Sequence, residues 1–294
     1  MQYHVLGKTG LSVSRVIYGG IVSMLDGQDL SDQYVAWAID HGINYFDVAP
    51  TYGDAQKKLG NSLLPYRSRI YLACKTTQRD AENAEAELRE SMRLLHTDYF
   101  DNYQMHALTS VEEVKRALQP DGCLPFFAKM REAGTLHHLG ITCHSEEAAL
   151  FAMENFSFDT LMFPLNWHMN MGYGFGSRAV QAAREKGMGI LAIKELIERR
   201  WKDEDERTAS PWPKSWCKPI DADDTELRIA AMKYTLSLGV DVLDPPGDFS
   251  NFSFVVSHID ECLASPLNDQ DRELLRSRYE MVKDFPFFEI KKAD

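Results

Sequence analysis

The chain has 294 residues, 44% of them apolar, enough for one large core. Against 32 lysines and arginines stand 44 acids, and the formal charge of −12 repels phosphate backbones and argues against nucleic acid as a partner. The five cysteines, Cys74, Cys123, Cys143, Cys217 and Cys262, form no CxxC pair and no metal-ligand spacing with histidine. Reduced thiols in a cytoplasmic protein without a bound metal are the simplest reading. Met1–His4 opens no signal peptide and no apolar run reaches membrane-spanning length, so a soluble chain with no membrane partner is expected.

Taken in order, residues 5–14 read as a hairpin around a glycine turn, and residues 15–20 as a buried strand ending in two glycines. Ser31 offers an N-cap to a helix whose Val35, Ala38 and Ile39 stripe stops at Gly42. A short strand follows over 45–49 and is ended by Pro50, which lacks an amide proton. Further strands are expected over 70–75, 99–106, 136–142, 160–166, 189–194 and 240–243. Helical stripes lie between them, one of them after an Asp80 cap, and helices stop at Gly134, Gly187 and Gly239 just before the next strand. Leu275, Tyr279 and Val282 mark a C-terminal amphipathic helix.

Strands alternating with helices imply parallel pairing, and eight such units in this length predict an α/β fold, a single (β/α)8 TIM barrel over 1–294. The N-terminal hairpin precedes the barrel. No GxGxxG turn announces an open doubly wound sheet. The longest irregular stretch, 198–222, carries a charge run and three prolines, and is expected to be a lid or binding loop.

Chemistry in such a barrel gathers at the C-terminal ends of the strands. Those ends carry Asp47 with Tyr52 beyond it, then Lys75, His106, Thr142 and Asn166. Singly each has a plain structural alternative: Asp47 as a turn cap, Lys75 as a solvated cation, His106 as a packed ring. Jointly they make a proton donor assembly. A phenol titrates near ~10 and a neighbouring ammonium lowers that value. An aspartate holds the lysine charged, and a neutral histidine orients a carbonyl.

The run Phe46-Asp47-Val48-Ala49-Pro50-Thr51-Tyr52-Gly53, Lys75, the stretch from Thr97-Asp98-Tyr99 to His106, the opening Leu6–Ser14 and Leu139-Gly140-Ile141-Thr142 together resemble the aldo-keto reductases over about residues 3–260. The resemblance implies a barrel closed at the bottom by the hairpin, with a nicotinamide dinucleotide extended across the top. It implies Tyr52 as general acid/base, Lys75 and Asp47 as its tuning pair, and His106 as the carbonyl-orienting group. Cofactor contacts follow at Gly20, Asp47, Thr142, Asn166, Ile193, Lys194, Leu196 and Gly247, and a substrate contact at Trp167. The implied reaction interconverts a carbonyl (aldehyde, ketone or sugar) and an alcohol. The alternatives are a redox-neutral epimerase or isomerase with retained cofactor, and a cofactor-binding regulatory subunit.

The chain departs from the family pattern at several of these positions. Asn166 stands for a glutamine, Cys143 for an asparagine, and Ile193 for a stacking tyrosine. The basic residues expected after strand 8 are replaced by Pro245–Asn251, with Asp248 among them. Arg199, Arg200, Lys202 and Lys214 are the cations available to compensate, so NADP(H) is favoured on family frequency and NAD(H) competes. Trp167, His168, Met169, Tyr173 and Phe175, with Trp201, Trp212 and Trp216, are placed either to supply an aromatic substrate pocket or, for several of them, merely to pack the loops. The sequence carries no signal for oligomeric state.

Overall fold

The computed structural model describes residues 1–288; the last six positions of the expected 1–294 domain lie outside the described residues. Eight strands run in order around one sheet: β1 Tyr18–Gly19, β2 Tyr45–Asp47, β3 Tyr71–Thr76, β4 Phe100–Leu108, β5 Leu136–Cys143, β6 Thr160–Pro164, β7 Gly189–Ile193 and β8 Val242–Asp244. Every neighbouring pair is parallel. The sheet closes through Val16, which bridges Leu243, while Ile17 donates to the Leu243 carbonyl at 2.9 Å and Leu243 to that of Arg15 at 3.0 Å. This is the (β/α)8 barrel that the alternation implies.

The strand ends explain themselves locally. Gly42, Gly134, Gly187 and Gly239 follow helices with φ of 83, 78, 66 and 83°, a left-handed turn that a side chain would oppose. At the bottom, Tyr3–Val5 and Ser12–Ser14 pair antiparallel, and the turn between them docks under β7. There Lys8 donates to the Gly187 carbonyl at 2.7 Å. Leu6 and Val13 enter the barrel with Ile17, Tyr45, Ala73, Met162, Leu191 and Val242, so the N-terminal end is plugged by apolar side chains. A polar knot lies in this layer: the Asn102 amide donates to the Tyr45 hydroxyl at 3.0 Å and to Thr160 at 2.9 Å.

Several boundaries differ from the sequence expectation, three of them with a visible reason. The first helix, Gln28–Asp40, begins after Gly27, and Ser31 lies inside it. The Ser31 hydroxyl is turned to Ser23 and Ser62, at 2.9 and 3.1 Å, so a helix-start residue has been spent on a buried serine cluster. Strand β2 stops at Asp47, two residues short of 49. The stretch 198–222 is not irregular throughout: Ile197–Arg199 pairs with Lys218–Pro219, and Asp203 caps the helix Glu204–Ala209. The C-terminal helix Asp269–Val282 starts from an Asn268–Asp271 capping box. It packs Leu275 and Val282 against the helix Thr225–Ser237.

Among the described residues, no helix is long and apolar enough to cross a membrane.

Candidate active site

Strand side chains alternate, so those two residues beyond an inward layer point inward again. Tyr45 and Ala73 fill the apolar plug; Asp47 and Lys75 therefore face the barrel axis one layer higher. From β4, Gln104 points the same way, two positions after Asn102.

Asp47 and Lys75 are fully buried and form a close ion pair. The Gln104 amide donates to the second Asp47 oxygen at 3.0 Å. Lys75 also donates to the Tyr52 hydroxyl at 3.3 Å, carried in from the turn after β2. Burial opposes the lysine's charge, but Asp47 outweighs it and the ammonium is held more firmly than in water. Burial pushes the Asp47 carboxyl up, and Lys75 and Gln104 pull it back. For Tyr52 the balance differs from the sequence expectation: burial pushes the phenol up to about 12, and Lys75 only opposes the rise. A phenol protonated throughout the neutral range is a loaded proton donor.

His106 meets Tyr52 edge-on, ring centroids 5.7 Å apart, and its Nδ1 lies 3.4 Å from the Thr51 hydroxyl. Burial, with the Lys75 charge, lowers it to about 2, so it is neutral. It points inward in step with Asn102 and Gln104, and a bulge follows it. Met105 pairs with Ile141 and Leu108 with Cys143, so β4 spends one residue more than β5 over this span. Ala107 absorbs the extra residue at φ 54° and donates to the Thr142 hydroxyl at 2.6 Å, while Arg79 holds the His106 carbonyl at 2.7 Å.

Tyr52 and His106 open onto a cleft of about 690 Å³, open solvent at its mouth included. Thr142, Ile193, Lys194 and Gly247 also line it. A segment of the long loop straps the cleft: Lys214 pairs with Asp26 at 2.6 Å and donates to the Val22 carbonyl at 2.9 Å, joining β7's loop to β1's.

Other expected contacts stand elsewhere. Gly20 and Leu196 are buried and do not line the cleft. The Asn166 amide donates to the carbonyls of Lys194 and Ile197, both at 2.7 Å, and its oxygen accepts from His168 at 2.8 Å. It anchors the chain leaving β7 rather than facing the cleft. Trp167 is fully buried among Ile220, Leu227 and the C-terminal helix, so it is packing and not a substrate wall. His168 and Met169 are likewise buried, Phe175 packs on Phe163, and Tyr173 is exposed away from the cleft. Of the loop tryptophans only Trp216 reaches the cleft, its ring 5.9 Å from that of Tyr52. Trp201 and Trp212 are tied to Ser215 and Ser250. Arg199 is committed to Glu206 at 2.6 Å and Lys214 to Asp26, which removes two of the four compensating cations. Asp248 caps the helix Phe249–Ala264.

Two titratable cleft residues are not singled out by the sequence. His144 follows Thr142 by two positions and shares its inward face, a signal that period-2 counting carries. Asp244 ends β8, one residue beyond the expected strand, and faces the cleft beside Pro245.

The comparisons agree with this fold. A profile described as the aldo/keto reductase family matches residues 27–216, and the chain belongs to that family. It is similar to the aldo-keto reductase YhdN of Bacillus subtilis, 29% identical over 169 residues, which cover 50% of this chain and 48% of that protein. It is also similar to L-galactose dehydrogenase of Arabidopsis thaliana, 25% identical over 214 residues, covering 67% and 66%. The chain spans about half the length of the first of these relatives. An aldo-keto reductase from Bacillus halodurans has the same fold, with a TM-score of 0.70 at 19% identity, covering 95% and 96% of the two chains.

Proposed function

We propose that the protein is a nicotinamide-dinucleotide-dependent oxidoreductase that interconverts a small carbonyl compound and its alcohol. One observation carries the reading: a buried Lys75, paired with Asp47, donates to a protonated phenol, Tyr52, that faces the cleft beside a neutral His106.

The donor set of the cleft fits such a cofactor. Ile193 and Met162 give an apolar face, Lys194 a cation and Thr142 a hydroxyl, beneath a strap that spans the barrel mouth. Thr142, Ile193, Lys194 and Gly247 would hold the dinucleotide; Asn166, Gly20 and Leu196 would act only through the backbone around them. When bound, the reduced nicotinamide supplies a hydride to the carbonyl carbon. His106 orients the carbonyl oxygen by hydrogen bonding, and Tyr52 gives that oxygen its proton. Lys75 stabilises the phenolate left behind, Asp47 holds Lys75 in position, and solvent restores the proton. In the reverse direction Tyr52 must first lose its proton.

Trp216 at the mouth of the cleft, roughly half-exposed, supports a substrate that offers a flat or CH-rich face, an aromatic carbonyl or a sugar. NADP(H) remains the favoured dinucleotide on family frequency, with Arg200 and Lys202 left as candidate cations for its phosphate.

The test is purified protein with NADPH or NADH and a panel of aldehydes, ketones and sugars, followed by nicotinamide absorbance. Turnover that vanishes in Tyr52→Phe is expected; turnover that survives it sinks the assignment of the proton donor. Rearranged substrate without net cofactor oxidation would mark redox-neutral chemistry, and dinucleotide binding without any chemistry a regulatory subunit.

A further inference from the structure

The Asp244 carboxyl is the one acid of the cleft wall whose chemistry the reaction leaves unused. It ends β8 beside Ile193, its register partner on β7, and leans across the barrel seam toward β1. A Cβ built on Gly19 would overlap its Oδ1, so the missing side chain at Gly19 is what admits the carboxyl. Asp244 is 8% exposed and lines the cleft with Tyr52, His106 and Lys194. Among the described residues, no hydrogen-bond donor or ion-pair partner reaches its side chain.

A carboxyl this buried needs a partner or a proton. Burial pushes Asp244 up to about 8, Asp47 adds to the rise, and Lys75 and Lys194 oppose it. At neutral pH the acid form therefore dominates, with one O–H to give and a carbonyl oxygen to accept. That pair of functions matches two adjacent hydroxyls, one accepting and one donating. A cationic ligand is disfavoured, because the charges of Lys75 and Lys194 already act on the same carboxyl.

We propose that Asp244 is a diol subsite of the cleft, hydrogen-bonding a hydroxyl pair on either the dinucleotide ribose or a polyhydroxylated carbonyl substrate. The proposal rests on the oxidoreductase reading for the identity of these ligands. Gly19 is part of the subsite, since it clears the space the carboxyl occupies.

The two sources are separated by two measurements on wild type, Asp244→Leu and Asp244→Asn. Fluorescence titration gives the Kd of NADPH and NADH without substrate. Turnover gives KM for glyceraldehyde against propanal, which has the same carbon chain without hydroxyls. Losing the subsite should cost about tenfold, the equivalent of about 1.4 kcal/mol for a hydrogen bond to a buried polar group, and the amide of Asp244→Asn should restore most of it. Weaker dinucleotide binding assigns the ribose; a raised KM for glyceraldehyde alone assigns the substrate. Unchanged binding with unchanged aldehyde selectivity overturns the proposal, as does an Asp244→Asn protein indistinguishable from Asp244→Leu, which would make charge the cause. If Asp244→Leu folds poorly by circular dichroism, Asp244→Ala replaces it. A wild type with no carbonyl turnover would strike the oxidoreductase reading, and the dinucleotide titration alone would then decide the subsite.

Discussion

The two walls of the cleft treat buried charge in opposite ways. On the β2–β4 side, Asp47, Lys75 and Gln104 are joined to one another and to Tyr52, so each side chain fixes the next. On the β7–β8 side, Asp244 has no partner among the described residues, and behind the lining neither oxygen of the fully buried Glu195 is hydrogen-bonded. Burial drives both of those acids up, Glu195 far above the carboxylate range, so the acids of this side hold their protons and Lys194 is left as its cation. A network joined in this way, with only the Gln104 Oε1 left over, is prepared for one task and needs no rearrangement when a proton moves. A wall with spare hydrogen-bonding capacity suits recognition of whatever occupies the cleft.

The comparison is broken most forcefully by removing a member of the closed network. Lys75→Met leaves Asp47 buried without its counter-ion, and a loss of about 3–5 kcal/mol in denaturant unfolding is expected, together with loss of turnover. Tyr52→Phe removes the proton while keeping the ring, so folding should persist and kcat fall by ~10²–10⁴. A stable, inactive Tyr52→Phe beside an unstable Lys75→Met would separate chemistry from support.

The pH response is a subtler probe. His106 is held to about 2 in the folded protein, against ~6.5 when unfolded. The unfolded chain therefore binds the extra proton between those values, and stability must fall as pH drops below ~6.5. His106→Gln should flatten that part of a stability profile. Reduction should show no step near pH ~6.5, since neither His106 nor Tyr52 changes charge there, whereas alcohol oxidation should climb with pH as the phenolate forms. An inflection in reduction near pH ~6.5 that vanishes in His106→Gln would contradict a neutral histidine.

The smallest effect is expected at the strap. Lys214 and Asp26 are only partly buried, so Lys214→Ala should change stability by less than ~1 kcal/mol. Its mark should be a several-fold faster release of dinucleotide in stopped-flow fluorescence, with kcat for the Tyr52 step unaltered.

The two walls also differ in how far the sequence discloses them. Asp47, Lys75 and His106 sit at ends of strands whose apolar runs are plain, and Tyr52 follows Asp47 within one turn. Inward alternation then suffices to bring them together. Asn166 has the same kind of address, yet its amide is claimed by the carbonyls of Lys194 and Ile197, which no residue pattern reveals. Those carbonyls are presented because Lys194 adopts φ 72°, a left-handed conformation in a residue that does not advertise it. Trp167 was misplaced for a related reason: an aromatic run after a strand looks the same whether it packs under a helix or faces a ligand. The barrel itself was legible because glycine stops and strand runs repeat through most of its units. Asp244 fell one position outside the expected β8, which was enough to hide an acid of the cleft.

The bulge in β4 has a consequence for how such chains change over time. Residues beyond it alternate in the opposite phase to those before it, because one position was inserted into a two-residue rhythm. Deleting that position would give a more regular ladder and turn the following side chains to the other face. A lineage carrying this histidine is thus poorly tolerant of length changes within β4, and homologous strands are best aligned by counting from the bulge.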